Sequence, residues 1–183
     1  MAKSIGEKYK IAVFISGKGS NLKSLINFSK KPKSKFKVNL VISNQRKAKG
    51  LIIAKKSKIN TKVYNYKYPS VDEINILRFL EKKKIDIICL AGFMKILSKK
   101  FIKDFNGKII NIHPSLLPKF KGLNTFSRML KNREIKAGCT VHYVNEKLDG
   151  GKIITKKSFF VNENDDVATL KVKTQKLEYL AFP

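Results

Sequence analysis

The chain has 183 residues and carries 40 Lys and Arg against 13 Asp and Glu, a formal net charge of +27. Its hydrophobic content of 43% is typical of a globular domain, and no apolar run approaches the roughly 20 residues that span a bilayer. We therefore predict one domain over residues 1–183, with no membrane partner. The first residues, 1–8, show no secretory cleavage pattern, so we expect a cytoplasmic protein.

The positive charge raises the possibility of nucleic-acid binding. The lysines, however, are spread along the whole chain, and the few arginines form no cluster. We predict no specific nucleic-acid partner and leave the oligomeric state open. Cys89 and Cys139 lie in apolar, β-like segments without CxxC spacing, so we interpret them as small core residues. Two histidines are too few for a His-based cluster, and we predict no metal.

Apolar segments with strand-like and helical periodicity alternate along the chain. The pattern predicts strands at 10–16, 36–43, 62–66, 85–90 and from 107 onwards, and helices from 22, at 48–58, at 71–84 and at 98–105. A helix over 123–132, a hairpin of strands 138–144 and 152–159, and a last helix from 165 follow. This order favours an α/β fold with a mostly parallel, twisted sheet, an appended antiparallel hairpin and helices on both faces.

The loop Gly17-Lys18-Gly19-Ser20-Asn21 joins the first strand to the first helix. Backbone amides freed by glycine, together with a helix amino terminus, form a common anion site. Ser20 or Asn21 could cap this helix or donate to a phosphate. The dinucleotide fingerprint fails because Leu22 occupies the position of its third glycine, and the GK[ST] motif is absent. The loop predicts a site for one small phosphate, with an ordinary strand-to-helix turn as the alternative.

A second polar feature follows the fifth strand, in the sequence Asn111-Ile112-His113-Pro114. Side chains alternate along an extended chain, so Asn111 and His113 point to the same face. Pro114 ends the strand, which leaves an amide and an imidazole at a carboxyl end, where open α/β sheets bind ligands. The alternative is a strand end with a hydrogen-bonded core histidine. Further along, we expect residues 145–151 to form a turn, with paired glycines that are able to adopt positive φ.

Three stretches in this order are similar to one family of enzymes: SGKGSNL at 16–22, LAGFMKIL at 90–97 and NIHPSLLP at 111–118, with LDGG at 148–151 after them. Over nearly its whole length the chain resembles the folate-dependent phosphoribosylglycinamide formyltransferase family. The resemblance implies a single-domain, Rossmann-like formyltransferase fold. It also implies transfer of a formyl group from 10-formyltetrahydrofolate to the amine of N1-(5-phospho-D-ribosyl)glycinamide in purine (IMP) biosynthesis, without a metal.

The resemblance also implies roles for individual residues. The catalytic set would be Asn111, His113 and Asp149, and His142 would support it structurally. Residues expected to bind the ribonucleotide are Gly19, Ser20, Asn21, Met94, Pro114 and Glu178. Residues expected to bind the folate are Met94, Lys95, Ile96, Leu97, Asn111, Asn145, Glu146, Lys147, Leu148 and Asp149.

The residue types suit this chemistry. Attack of an amine on a formyl carbon creates an oxyanion, to which the Asn111 amide and a protonated His113 can donate hydrogen bonds. His113, or a water held by Asp149, can move the proton from the amine to the leaving nitrogen. We expect the carboxylate of Asp149 to keep the imidazole charged.

Some positions depart from the family. Asn124-Thr125-Phe126 stands where a histidine is common, Lys95 replaces a frequent arginine, an arginine near residue 70 is missing, and the carboxyl terminus is short. Three alternatives stay open. They are a methionyl-tRNA formyltransferase, which has an extra carboxyl-terminal domain; a formyltetrahydrofolate deformylase, which has an amino-terminal regulatory domain; and a basic, non-catalytic nucleic-acid-binding α/β module.

Overall fold

A computed structural model describes residues 7–183; residues 1–6, where we expect no secretory signal, lie outside it. The strands are β1 (Tyr9–Ile15), β2 (Phe36–Ser43), β3 (Asn60–Val63), β4 (Ile87–Leu90), β5 (Lys108–His113), β6 (Lys136–Tyr143) and β7 (Ile153–Phe160). The helices are α1 (Ser20–Ser29), α2 (Lys49–Lys56), α3 (Pro69–Lys82), α4 (Lys99–Asp104), α5 (Thr125–Lys131) and α6 (Val167–Ala181). The chain divides into two compact units, one up to Ile110 and one over Asn111–Pro183. The single domain over 1–183 stays a prediction.

The first unit has the parallel βαβ architecture that its alternating pattern predicts. Its strand order is β3-β2-β1-β4, followed by the start of β5. Strand β1 pairs in parallel with β2 and β4, and β2 pairs in parallel with β3. The residues from Ile11 to Ile15 are all buried, as expected for a central strand covered on both faces.

The second unit contains the end of β5, then β6 and β7, with helices α5 and α6. Strands β6 and β7 are antiparallel, as predicted for the hairpin. Asp166 accepts a hydrogen bond from the Thr169 amide at 2.7 Å and caps α6, whose acidic start was expected. The predicted fold class, an α/β fold with a mostly parallel sheet and an antiparallel hairpin, is confirmed.

Two local predictions are wrong. Strand β3 lies at 60–63 rather than 62–66, because the chain turns at Tyr66, which has a φ of 56° and a buried side chain. Neither Ser20 nor Asn21 caps α1; the N-cap is Gly19, with a φ of 76°. In the turn over 145–151, Gly150 and Gly151 could adopt positive φ but do not. That conformation belongs to Asp149, with a φ of 45°.

Candidate active site

The second unit brings the three predicted catalytic side chains together. Asp149 lies at the centre: its Oδ2 is 3.3 Å from His113 Nδ1, and its Oδ1 is 3.5 Å from Asn111 Nδ2. Asn111 and His113 therefore lie on the same side of β5, as the alternation predicted. His142 completes the cluster, with Nε2 3.6 Å from Asp149 Oδ1. All of these groups are polar, and the side chains of His113 and Asp149 are each only 7% exposed.

The expectation of a charged His113 is wrong. Burial is the largest influence, and it lowers the pKa of His113 below the ordinary value of 6.5. The Phe120 carbonyl, which accepts a hydrogen bond from Nε2 at 2.9 Å, and the nearby Asp149 carboxylate both oppose this shift without reversing it. Nε2 carries a hydrogen, because a carbonyl can only accept, and Nδ1 faces the Asp149 carboxylate, which stabilises a second hydrogen there.

Asp149 is held as a carboxylate. Burial alone would raise its pKa, but its contacts with the His142 ring and with the Gly122 backbone N–H, together with the nearby His113, outweigh burial and lower it. The Gly122 N–H donates to Oδ2 at 2.8 Å. A buried carboxylate that stays charged next to a neutral imidazole can stabilise the imidazolium that forms when the ring accepts a proton.

Steric contacts explain why two glycines follow Asp149 in this turn. A Cβ on Gly151 would lie 1.8 Å from the Tyr143 carbonyl oxygen, and one on Gly150 would lie 2.8 Å from the Lys147 Cβ. Space rather than positive φ therefore requires glycine at both positions. Asn145 accepts a hydrogen bond from the Lys147 N–H at 3.0 Å, which organises the start of the turn.

The segment that follows His113 is fixed by β6. The hydroxyl of Thr140 donates to the Ser115 carbonyl at 2.7 Å and accepts from the Leu117 N–H at 3.0 Å. Ser115 is fully buried, and its hydroxyl donates to the Lys119 carbonyl at 2.6 Å. These contacts within the second unit hold the chain on the way to Phe120, whose carbonyl reaches His113. Thr140 and Phe120 carry no sequence signal of this role, because one lies in an ordinary strand and the other acts through its backbone.

The predicted phosphate loop has the expected strand-loop-helix geometry in the first unit. A Cβ on Gly19 would lie 2.5 Å from the Gly50 Cα, so only glycine fits where the loop meets α2. The Gly50 N–H donates to the Gly17 carbonyl at 3.0 Å, which ties the two segments together. Ser20 is the first residue of α1 and Asn21 is buried in its first turn. The amino terminus of a helix is a feature that binds anions.

The predicted folate segment lies in the same unit and is irregular rather than helical. Met94 and Ile96 are 66% and 79% exposed and Lys95 is exposed, whereas Leu97 is buried. The Met94 N–H donates to Ser16 Oγ at 2.7 Å, and Ser16 Oγ donates to Asn44 Oδ1 at 2.5 Å. Sequence reasoning missed Asn44, which lies directly after β2.

The remaining predicted residues all lie in the second unit. Pro114 is half-buried after β5, and Glu178 is buried on α6. The turn residues Asn145, Glu146, Lys147 and Leu148 are exposed. The described part of the chain contains no group of three His, Cys, Asp or Glu placed to hold a metal, and no helix there is long and apolar enough to cross a membrane. Cys89 and Cys139 are buried, as predicted, and burial raises the pKa of each thiol to about 12.

The chain is similar to known proteins over almost its whole length. The formyl transferase family matches residues 9–183. The phosphoribosylglycinamide formyltransferase of Haemophilus influenzae is 40% identical over 95% of this chain and 84% of its own length. The trifunctional purine biosynthetic protein adenosine-3 of Gallus gallus is 46% identical over 96% of this chain, which spans only 18% of that protein. The crystal structure of phosphoribosylglycinamide formyltransferase from Brucella melitensis has 39% identity and a TM-score of 0.91, covering 97% of this chain and 93% of its own.

Two findings define the chain as a group-transfer enzyme. One is the α/β fold with a buried Asn-His-Asp cluster beside a glycine turn, and the other is the family match over almost the whole chain. The chain belongs to the formyl transferase family.

Proposed function

We propose that this protein transfers a formyl group from 10-formyltetrahydrofolate to the amine of N1-(5-phospho-D-ribosyl)glycinamide, a step of purine biosynthesis. The observation that supports this most is the buried cluster in which Asp149 lies within 3.5 Å of both His113 and Asn111. Acyl transfer to an amine needs a proton acceptor, a group that stabilises the acceptor once charged, and a donor to the oxyanion. The three side chains supply one each.

His113 is the proton acceptor in this reaction. Because burial lowers its pKa, its Nδ1, which faces Asp149, can take a proton from the attacking amine through a solvent molecule held by Asp149. Asp149 then stabilises the resulting imidazolium, which returns the proton to the leaving folate nitrogen. The imidazole thus becomes an acid during the reaction instead of starting as one. The Asn111 amide donates to the oxyanion of the tetrahedral intermediate.

The two substrates suit features of the first unit. The N–H groups at the start of α1 and the tight turn at Gly19 would hold the phosphate of the ribonucleotide. The exposed apolar side chains of Met94 and Ile96 would contact the flat ring system of the folate. In the second unit, Glu178 and Pro114 would contact the ribonucleotide and the turn over 145–149 would contact the folate.

An assay with three formyl acceptors tests the proposal. The purified protein and 10-formyltetrahydrofolate are incubated with the glycinamide ribonucleotide, with an initiator methionyl-tRNA, or with buffer alone. We expect formylation of the ribonucleotide only. Formylation of the tRNA alone, or release of formate without an acceptor, would instead assign the chain to one of the other two formyl-transferring classes. The variant His113→Asn is the control, and it should lose the activity.

A further inference from the structure

His142 is held in one orientation by the second unit. Its side chain is 2% exposed, and its ring Nδ1 lies 2.8 Å from the Tyr143 carbonyl oxygen. A carbonyl oxygen can only accept, so Nδ1 must carry the hydrogen. In the neutral imidazole, Nε2 is then the nitrogen with the lone pair, and it needs a donor.

The donor is Asn111. Its Nδ2 lies 3.2 Å from His142 Nε2. The two ends of an amide side chain are distinguished by their hydrogen bonds, and an acceptor at this position requires the nitrogen of Asn111 rather than its oxygen. The second Nδ2 hydrogen has Asp149 Oδ1 at 3.5 Å, the outer limit of a hydrogen bond. One amide hydrogen is therefore bound firmly within the protein and the other only weakly.

We propose that His142 is a positioning residue for formyl transfer, which fixes the amide of Asn111 through the acceptor at Nε2. The inference rests on the proposed function. With Nε2 in place, the amide presents its second N–H to the oxygen that gains negative charge. Without this acceptor the amide is free to turn by half a rotation, and its own oxygen would then repel the oxyanion.

Two conservative variants separate this role from a structural one. In His142→Gln the side-chain amide reaches the position of Nε2 and can offer an acceptor to Asn111. In His142→Asn the shorter amide reaches only the position of Nδ1, where it keeps the donor to the Tyr143 carbonyl and loses the acceptor. Thermal unfolding of both variants shows whether either one is merely destabilised.

We expect His142→Asn to lower kcat about 10- to 100-fold with the KM of both substrates nearly unchanged, because the group it misplaces acts in the transition state. His142→Gln should keep most of the wild-type kcat. In an Asn111→Ala background, His142→Asn should cost little further activity, because the group that it positions is already gone. Equal kcat values in the two His142 variants, the opposite order, or multiplicative losses in the double variant would overturn the inference. If the wild-type protein itself does not formylate the ribonucleotide, the proposed function has failed instead.

Discussion

Replacing Asp149 with asparagine removes a single negative charge from the cluster while keeping the shape of the side chain. The carboxylate lies 3.3 Å from His113 Nδ1, and both side chains are almost fully buried. Two unit charges at this distance interact by about 5 kcal/mol at an effective dielectric constant of about 20, which sets an upper limit on what Asp149 contributes to the imidazolium. Removing one preorganised electrostatic contact of this kind typically costs about 10²–10³ in kcat. We expect Asp149→Asn to lower kcat by that factor.

The pH profile of kcat/KM is a second, independent test of the effect of the Asp149 charge on His113. In the wild-type protein the rate should rise with pH as His113 loses its proton, and this inflection should lie below 6.5 because burial lowers the pKa of His113. Asp149 opposes that shift, so its removal lowers the pKa further and moves the inflection to lower pH. The same charge change at Asp104, which pairs on the surface with Lys100, is the matched control and should leave kcat unchanged.

Steady-state kinetics over a range of pH, with both substrates varied, measure these effects. An Asp149→Asn protein with near wild-type turnover would refute the role of the carboxylate. An inflection that moves to higher pH would refute the reasoning about charge, even if the rate falls.

Three further predictions concern the rest of the site. Gly19→Ala should raise the KM for the ribonucleotide and lower the free energy of unfolding by about 1–3 kcal/mol, because the new Cβ would meet backbone atoms at a positive φ. Gly17→Ala is the control, because a Cβ there lies in open space and should change neither quantity. Denaturant unfolding and KM measurements on the two variants check this. The free energy of unfolding should rise with pH between the lowered pKa of His113 and 6.5, because the unfolded chain binds more protons than the folded chain in that range. Urea titrations at several pH values measure this rise, and His113→Asn should remove it. Ser16→Ala removes the acceptor for the Met94 N–H, so it should raise the KM for the folate about tenfold with little change in kcat, and an unchanged KM would contradict this.

The sequence predicts the members of the catalytic cluster better than their protonation. Alternation along β5 was sufficient to place Asn111 and His113 on one side, and the glycines after Asp149 were sufficient to predict a turn. Which residue of that turn has positive φ was not predictable from the sequence. Glycine is required at position 151 by steric contact with the Tyr143 carbonyl, and no local sequence pattern contains that contact.

The charge of His113 shows why pairing rules alone mislead in a buried site. A neighbouring carboxylate favours the imidazolium, and that rule predicted a charged ring. The structure adds one influence that no residue pattern contains, the loss of water around the ring, which lowers the pKa of His113. This burial outweighs both Asp149 and the Phe120 carbonyl in the resting protein, so the ring begins as a base. Asp149 acts mainly once the proton has moved, when its charge stabilises a cation that exists only along the reaction path. A carboxylate used in this way lowers the barrier without holding the resting enzyme in the wrong protonation state.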